Sequence, residues 1–293
     1  MCKNFQMNLY DDWLNQLSTK LTREGYDVSN MKKSELPYKY FNMLNKKLVQ
    51  IPRQVLISKE LYQSPYYNKY KKVINYLKSL IEKGEDISAY LSKKIDSIDY
   101  NDGLLNDWGI HHLHLSTEKE SNSKFNKRTG ELLFVRFQNT KAYFINIYKH
   151  NNWAKKEVIQ IVHRNWEEDF RTFRLEGVLS LHSRIEDRNY QKLRNKNINV
   201  PIEVEEGVVY MGFGFGITTS GHGQLAMLEE RRCKKALKRA EEYINHEMVM
   251  KDILGKKIYF YPIFHNEYLS IIDLYTMKKV YCVKYKENNC EEQ

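Results

Sequence analysis

The run Asp107-Trp108-Gly109-Ile110-His111-His112-Leu113-His114-Leu115-Ser116 holds three of the chain's nine histidines. Alternation through His112, Leu113, His114 and Leu115 predicts a strand, with the two imidazoles on one face and the two leucines on the other. Two imidazoles side by side on a strand can bind a metal ion, move protons or grip phosphate, and the residue types alone leave all three open. Histidine suits proton transfer because its ordinary pKa is about 6.5. The surrounding segment adds Arg128, Arg136, Tyr148, Lys149, His150, His163 and Arg164. Cleaving RNA through its 2′-hydroxyl needs a base for that proton, an acid for the leaving oxygen and a cation on the phosphate. Arginine supplies the last as a bidentate contact.

These groups sit in a definite order of elements. A strand over 110–115 precedes a polar, basic loop over 116–130; a strand over 132–137, a tight turn and an apolar strand over 142–148 follow, closed by Tyr148-Lys149-His150. The β-branched and aromatic arms make this the clearest hairpin in the chain. The block "IHHLHLS…RTGELLFVRFQNTKAYFINIYKHN" resembles the last three strands of the RelE/ParE-like toxin superfamily over residues 110–151. The resemblance implies a small twisted sheet whose concave face binds RNA, usually on the ribosome, and cleaves it without metal. Carried onto this chain, it puts Arg136 on the central strand against the scissile phosphate and makes Tyr148, Lys149 or His150 acid–base candidates. It sets His112 and His114 where such enzymes present basic residues. ParE-like members act on other targets, so the resemblance leaves a binding role open beside a catalytic one.

The expected catalytic set is therefore His112, His114, Arg136, Tyr148 and His150, with His111, Arg128, Lys149, His163 and Arg164 as substrate contacts and no metal or cofactor. His163 and Arg164 also read as cations at the negative end of a helix. Two alternatives stand beside this reading. His112-x-His114 with Glu118 resembles the first ligand motif of cupins, which predicts a metal-dependent enzyme with His150, His163 or His182 completing the site. The other is a non-catalytic nucleic-acid- or partner-binding protein. His114-Leu115-Ser116-Thr117 gives half of a 2H phosphoesterase site, but the chain offers no second tetrad. Glycines 212, 214, 216, 221 and 223 match neither phosphate-loop nor dinucleotide fingerprints. Their alternation within a strand signals close backbone approach, with Thr218, Thr219, Ser220 and His222 as a candidate anion pocket. The bases and acids over 229–242 pair at helical spacing as an exposed face does.

The net charge of +10 and pI near 9.1 favour an anionic partner, RNA before a membrane surface. Ribosome association and an antitoxin-like regulatory protein are the partners the toxin resemblance suggests. Hydrophobic content of 42% and charged content of 29% are those of a folded domain. No run reaches the roughly 20 apolar residues of a spanning helix, and Met1-Cys2-Lys3-Asn4-Phe5 lacks a secretory core. Cys2, Cys233, Cys282 and Cys290 are scattered without a CxxC pair, which predicts free thiols and a cytoplasmic protein. The expected fold class is α+β, in four parts. Residues 1–100 form a helical region and 101–184 a core with a small twisted antiparallel sheet and a helix. Residues 185–206 are charged, asparagine-rich and contain Pro201, and read as a linker or excursion. Residues 207–293 form an α+β module with a long helix and a β-meander.

Overall fold

The computed structural model describes residues 7–183, 185–250 and 259–286. Among them the chain runs α1 (Leu9–Arg23), α2 (Leu36–Lys46), β1 (Gln54–Ile57), α3 (Lys59–Gln63), α4 (Tyr67–Lys83) and α5 (Gly103–Trp108). Then come β2 (Ile110–His114), β3 (Glu131–Phe137), β4 (Lys141–Lys149), α6 (Glu157–Phe170), α7 (Asp187–Asn195), β5 (Ile202–Glu205) and β6 (Val208–Tyr210). The last elements are α8 (Gln224–Met250), β7 (Phe260–His265), β8 (Tyr268–Asp273) and β9 (Lys278–Lys284). This is an α+β protein with three small sheets among the described residues. Contacts divide it into two compact units, one over 42–225 and one joining 1–41 to 226–292.

The first unit is built on a four-stranded sheet in the order β1-β4-β3-β2. The hairpin and the histidine strand are antiparallel neighbours, as the expected small antiparallel sheet requires. The sheet is mixed rather than wholly antiparallel, because β1 from the expected helical region pairs parallel to β4. Strand alternation then sorts the core. Ile110, Leu132, Phe134 and Tyr143 pack on one face against Val158, Ile159 and Val162 of α6 and against β5 and β6. Leu113, Leu133, Val135 and Phe144 pack on the other, against Leu61 of α3 and Val73, Ile74 and Leu77 of α4. Tyr70, Val73, Ile74, Leu77, Leu80 and Ile81 of α4 fall on one buried stripe, and Gly84, in the left-handed region at φ 74°, ends the helix.

The expected linker over 185–206 is corrected by α7 and β5. Tyr190 and Arg194, one helical turn apart, are both buried. The Arg194 charge is matched inside by Asp107, with Nε donating to the carboxylate at 2.8 Å, and its guanidinium lies over the Trp108 ring at 4.5 Å. A buried cation neutralised from 87 residues away is what made a packed helix look solvated. Pro201 precedes β5 without interrupting it.

In the second unit α1 and α8 line the inner face of the meander β7-β8-β9. Trp13 meets Phe264 at 5.5 Å and Tyr243 meets Tyr281 at 5.1 Å. Leu9 N–H donates to the Glu241 carboxylate, and Tyr10 OH to Glu230. The expected C-terminal module is present, but 207–225 belong to the other unit and α1 joins this one. Cys233 is buried and Cys282 exposed, both as free thiols, while Cys2 and Cys290 lie outside the described residues. Among the described residues, no helix is long and apolar enough to cross a membrane.

Candidate functional site

The histidine strand reaches its site through a tight corner. Asp102 caps α5, its Oδ1 accepting from the N–H groups of Leu104 and Leu105 at 3.1 Å. Gly109, at φ 64°, ends the helix and turns directly into β2. A Cβ there would lie 2.0 Å from Arg136 Nη1, so the corner requires glycine. The turn brings the second Asp102 oxygen, Oδ2, to 3.8 Å from His112 Nδ1. His112 shares its face with His114, ring centroids 6.5 Å apart, as alternation predicts.

The loop after β4 completes the cluster. Asn151, left-handed at φ 72°, follows His150, and the His150 ring stands 5.8 Å from His114. Trp153 touches both His112 (4.9 Å) and His150 (5.5 Å), and its indole stacks on Phe134. His112, His150 and Trp153 line a cavity of about 400 Å³ together with Lys94, Tyr100, Asp102 and Arg128, while His114 stands behind His112 and His150 without lining it. Its far wall is Gln191, Arg194, Asn195 and Asn197 from α7 and the turn after it. Among the described lining residues Asp102 is the one carboxylate, and with Arg194 matched by Asp107, Lys94 and Arg128 leave the cavity cationic.

That field and burial act together on the imidazoles. Burial pushes His112 below the ordinary histidine range; Asp102 opposes the shift, while His150, Arg128 and Lys94 reinforce it. His114 is pushed down to about 3 by burial and then by Arg128. Its Nδ1 accepts a hydrogen bond from Thr129 N–H at 3.1 Å, which places the proton of the neutral ring on Nε2. That Nε2 is buried with no partner in the protein. Burial and then Asp102 raise the Tyr100 phenol above its ordinary value, so it stays a neutral donor.

Four of the ten expected site residues thus meet: His112, His114, His150 and Arg128. The other six stand elsewhere. Arg136 is on the same sheet face and half-buried, with Nη1 donating to Gly109 O at 2.8 Å; the desolvation of its guanidinium lowers its pKa to about 10. It braces the corner and does not line the cavity. His111 points to the opposite face, edge-on to Phe137, and burial pushes it down to about 3. Tyr148 donates to Glu157 at 3.0 Å, and burial and that carboxylate raise its phenol out of acid–base range. Lys149 is exposed at the end of β4. His163 lies in the last turn of α6 before the kink at Trp166 (φ −147°), near a helix end as expected, but its ring is engaged between Tyr210 OH (3.0 Å) and Glu205 (3.1 Å). Arg164 pairs with Glu60.

Of the metal alternative, the cupin-like third ligand is engaged elsewhere: Glu118 is exposed and pairs with Lys127 at 2.7 Å. Zinc and iron ligands stand about 2.0–2.2 Å from a shared ion, whereas His114 has one ring nitrogen committed to Thr129. Among the described residues, no group of three His, Cys, Asp or Glu side chains is arranged to hold a metal ion. The glycine run is not within a strand, since β6 ends at Tyr210, but the close backbone approach is present. A Cβ on Gly212 would meet Asp107 O at 2.2 Å, and one on Gly214 would meet Leu105 O at 2.3 Å. Thr218, Ser220 and His222 close a turn on one another rather than open a pocket.

Sequence reasoning missed Asp102, Lys94, Tyr100, Trp153 and Arg194. Only Asp102 carried a signal, as an N-cap residue one position before Gly103-Leu104. Comparison of the chain with protein-family models, curated proteins and solved structures finds no match.

Proposed function

We propose that the protein is a metal-independent endoribonuclease, with His112 as general base, His150 as general acid and Arg128 and Lys94 as phosphate contacts. The observation that carries this reading is one cationic cavity in which His112 faces a carboxylate, Asp102, beside a second imidazole and an arginine. His112 takes the 2′-hydroxyl proton as that oxygen attacks phosphorus. The bond from phosphorus to the 5′-oxygen breaks, and His150 protonates the departing oxygen, leaving a 2′,3′-cyclic phosphate and a 5′-hydroxyl. Asp102 stabilises the imidazolium that His112 becomes, as a carboxylate beside a catalytic histidine does. Arg128 and Lys94 balance the charge that builds on the phosphorane. His114, with its proton fixed on Nε2, is a positioning group for His150. Arg136 and Tyr148 drop out of the chemistry and His163 and Arg164 out of substrate contact.

The toxin-like or defence role, a cytoplasmic setting, ribosome association and an antitoxin-like regulator accompany this proposal through the strand-order resemblance. The test is incubation of purified protein with mixed cellular RNA, with and without EDTA, beside His112→Ala and His150→Ala. Expected is cleavage that persists in EDTA, leaves cyclic phosphate ends and falls by at least 10²-fold in either variant, the usual contribution of general acid–base groups. Cleavage abolished by EDTA, or undiminished in His112→Ala, overturns the proposal. RNA binding without cleavage favours the non-catalytic reading, which the net charge of +10 also supports.

A further inference from the structure

The meander β7-β8-β9 of the second unit has two unlike faces. Strand alternation turns Pro262, Leu269 and Ile271 inward, where they are buried against α1 and α8. The opposite face would ordinarily be polar, since an antiparallel sheet with one covered face alternates hydrophobic-in and polar-out. Here it is not. Tyr261, Ile263 and Tyr268 are exposed at 41%, 40% and 49%, with Val280 beside them at 38%. The register makes these one surface: Tyr261 opposes Ile272, Ile263 opposes Ser270, and His265 opposes Tyr268. On the far side Tyr268 opposes Lys284, Ser270 opposes Cys282 and Ile272 opposes Lys279.

Lys279, opposite Ile272, and His265 are exposed along this surface, while Lys278 opposes Asp273 on the register of the other face. Asp11 and Asp12 of α1 line a cleft with Tyr261, Asp11 pairing with Lys33 at 3.0 Å, and Asp273 and Glu267 are turned to local partners. Asp273 accepts from Tyr275 N–H and Thr276 Oγ1, and Glu267 pairs with Lys284 at 2.9 Å. Interface cores between proteins are depleted in lysine, so rings interleaved with lysines are a poor seat for a second copy of the chain. Rings and cations on an open sheet face suit single-stranded nucleic acid, whose bases stack on aromatic side chains while phosphates meet the cations. Tyr268 opposes His265, so the two tyrosines stand roughly 14 Å apart along the strands at 3.4 Å per residue. That leaves room for separate bases on separate rings.

We infer that the outer face of β7-β8-β9 binds single-stranded RNA, with Tyr261 and Tyr268 stacking on bases and Lys279 contacting a phosphate. This surface lies outside the histidine cavity and stands whether or not that cavity cleaves. The experiment is fluorescence anisotropy of the full chain with a labelled 2′-O-methyl oligouridine, which lacks the nucleophilic hydroxyl and so reports binding alone. Tyr261→Ala/Tyr268→Ala weakens binding by roughly ten- to a hundredfold, while Tyr261→Phe/Tyr268→Phe restores it, which separates stacking from misfolding. Lys279→Gln lowers the slope of log affinity against log salt by about 0.7, the share of one phosphate on a single strand. Unchanged affinity and slope in these variants overturn the inference. So does an unchanged affinity accompanied by loss of wild-type self-association in sedimentation, which would make the face a contact between copies. Cleavage of a dinucleotide substrate in the tyrosine variants keeps the two proposals apart: the cavity's activity stays at its wild-type level while oligonucleotide affinity falls.

Discussion

Replacing Asp102 by Asn separates the two tasks of one carboxylate. Oδ1 caps α5 and Oδ2 faces His112 at 3.8 Å. Asparagine caps helices as well as aspartate, so Asp102→Asn keeps the helix start and removes only the charge. At the observed separation and an effective dielectric near 20, the attraction between the carboxylate and a protonated His112 is about 4 kcal/mol. Both groups are about nine-tenths buried, so solvent screens this little. Each 1.36 kcal/mol is tenfold in rate, and only part of the full proton charge has developed at the transition state. The expected loss in kcat/KM is therefore roughly 10²- to 10³-fold. The pH profile carries a second signature. Without the carboxylate His112 is harder still to protonate, so the acid limb of the rate profile moves to lower pH. Asp102→Ala, by contrast, also loses the cap and about 1 kcal/mol of stability. The assay is RNA cleavage from pH 5 to 9, alongside urea unfolding of both variants. Wild-type kcat/KM in Asp102→Asn would refute the assignment of His112, as would a rate loss matched by a collapse in stability.

Stability should fall on acidification for a reason visible in the core. His111 and His114 are held near 3 in the fold, against about 6.5 in the unfolded chain. Their folded values are depressed, so the unfolded state binds protons first: stability is full above about pH 6.5 and drains as pH falls toward 3. From pH 7 to 5 each costs about 2 kcal/mol, and urea melts should show the loss; a flat profile over that range would contradict their burial. Arg136→Met should lower stability through the lost Gly109 hydrogen bond while leaving kcat/KM intact at temperatures below melting. Lost cleavage in a folded Arg136→Met would return that residue to the site. Gly212→Ala, whose Cβ would meet Asp107 O at 2.2 Å, should cost roughly 1–3 kcal/mol by overpacking, measurable as a lowered urea midpoint.

Periodicity carried much of the fold. The alternation over 110–115 and the aromatic arms of the hairpin marked the strands and the shared face of His112 and His114, because strand faces are set by a two-residue period that sequence displays. The α4 stripe was legible for the same reason at helical period. Pairing partners distant in the chain were not. Nothing in Gln54–Ile57 announces that it will lie parallel to β4. Residues 185–206 misled because Arg194 is a charge whose partner, Asp107, is remote. Composition counts such a residue as solvated, whereas the structure buries it.

The site shows the same division more sharply. His112, His114 and His150 were found because histidine on a strand or at its end is conspicuous, and Arg128 because the loop before β3 is basic. Arg136 misled for a physical reason: an arginine on a central strand that has lost its water must find an oxygen, and the nearest is the carbonyl of Gly109 at the α5–β2 corner. Asp102 was hidden by its ordinary role, since a cap residue before a helix is expected to be structural. The same carboxylate both starts the helix and polarises the site, so the charge beside His112 is placed by the act of folding α5. Positioning of this kind leaves no motif in sequence, because the spacing that matters is the turn made at Gly109 and not the distance along the chain. It also makes the capping geometry and the chemistry separable by a single amide, which is why Asp102→Asn tests the site more directly than removal of any histidine.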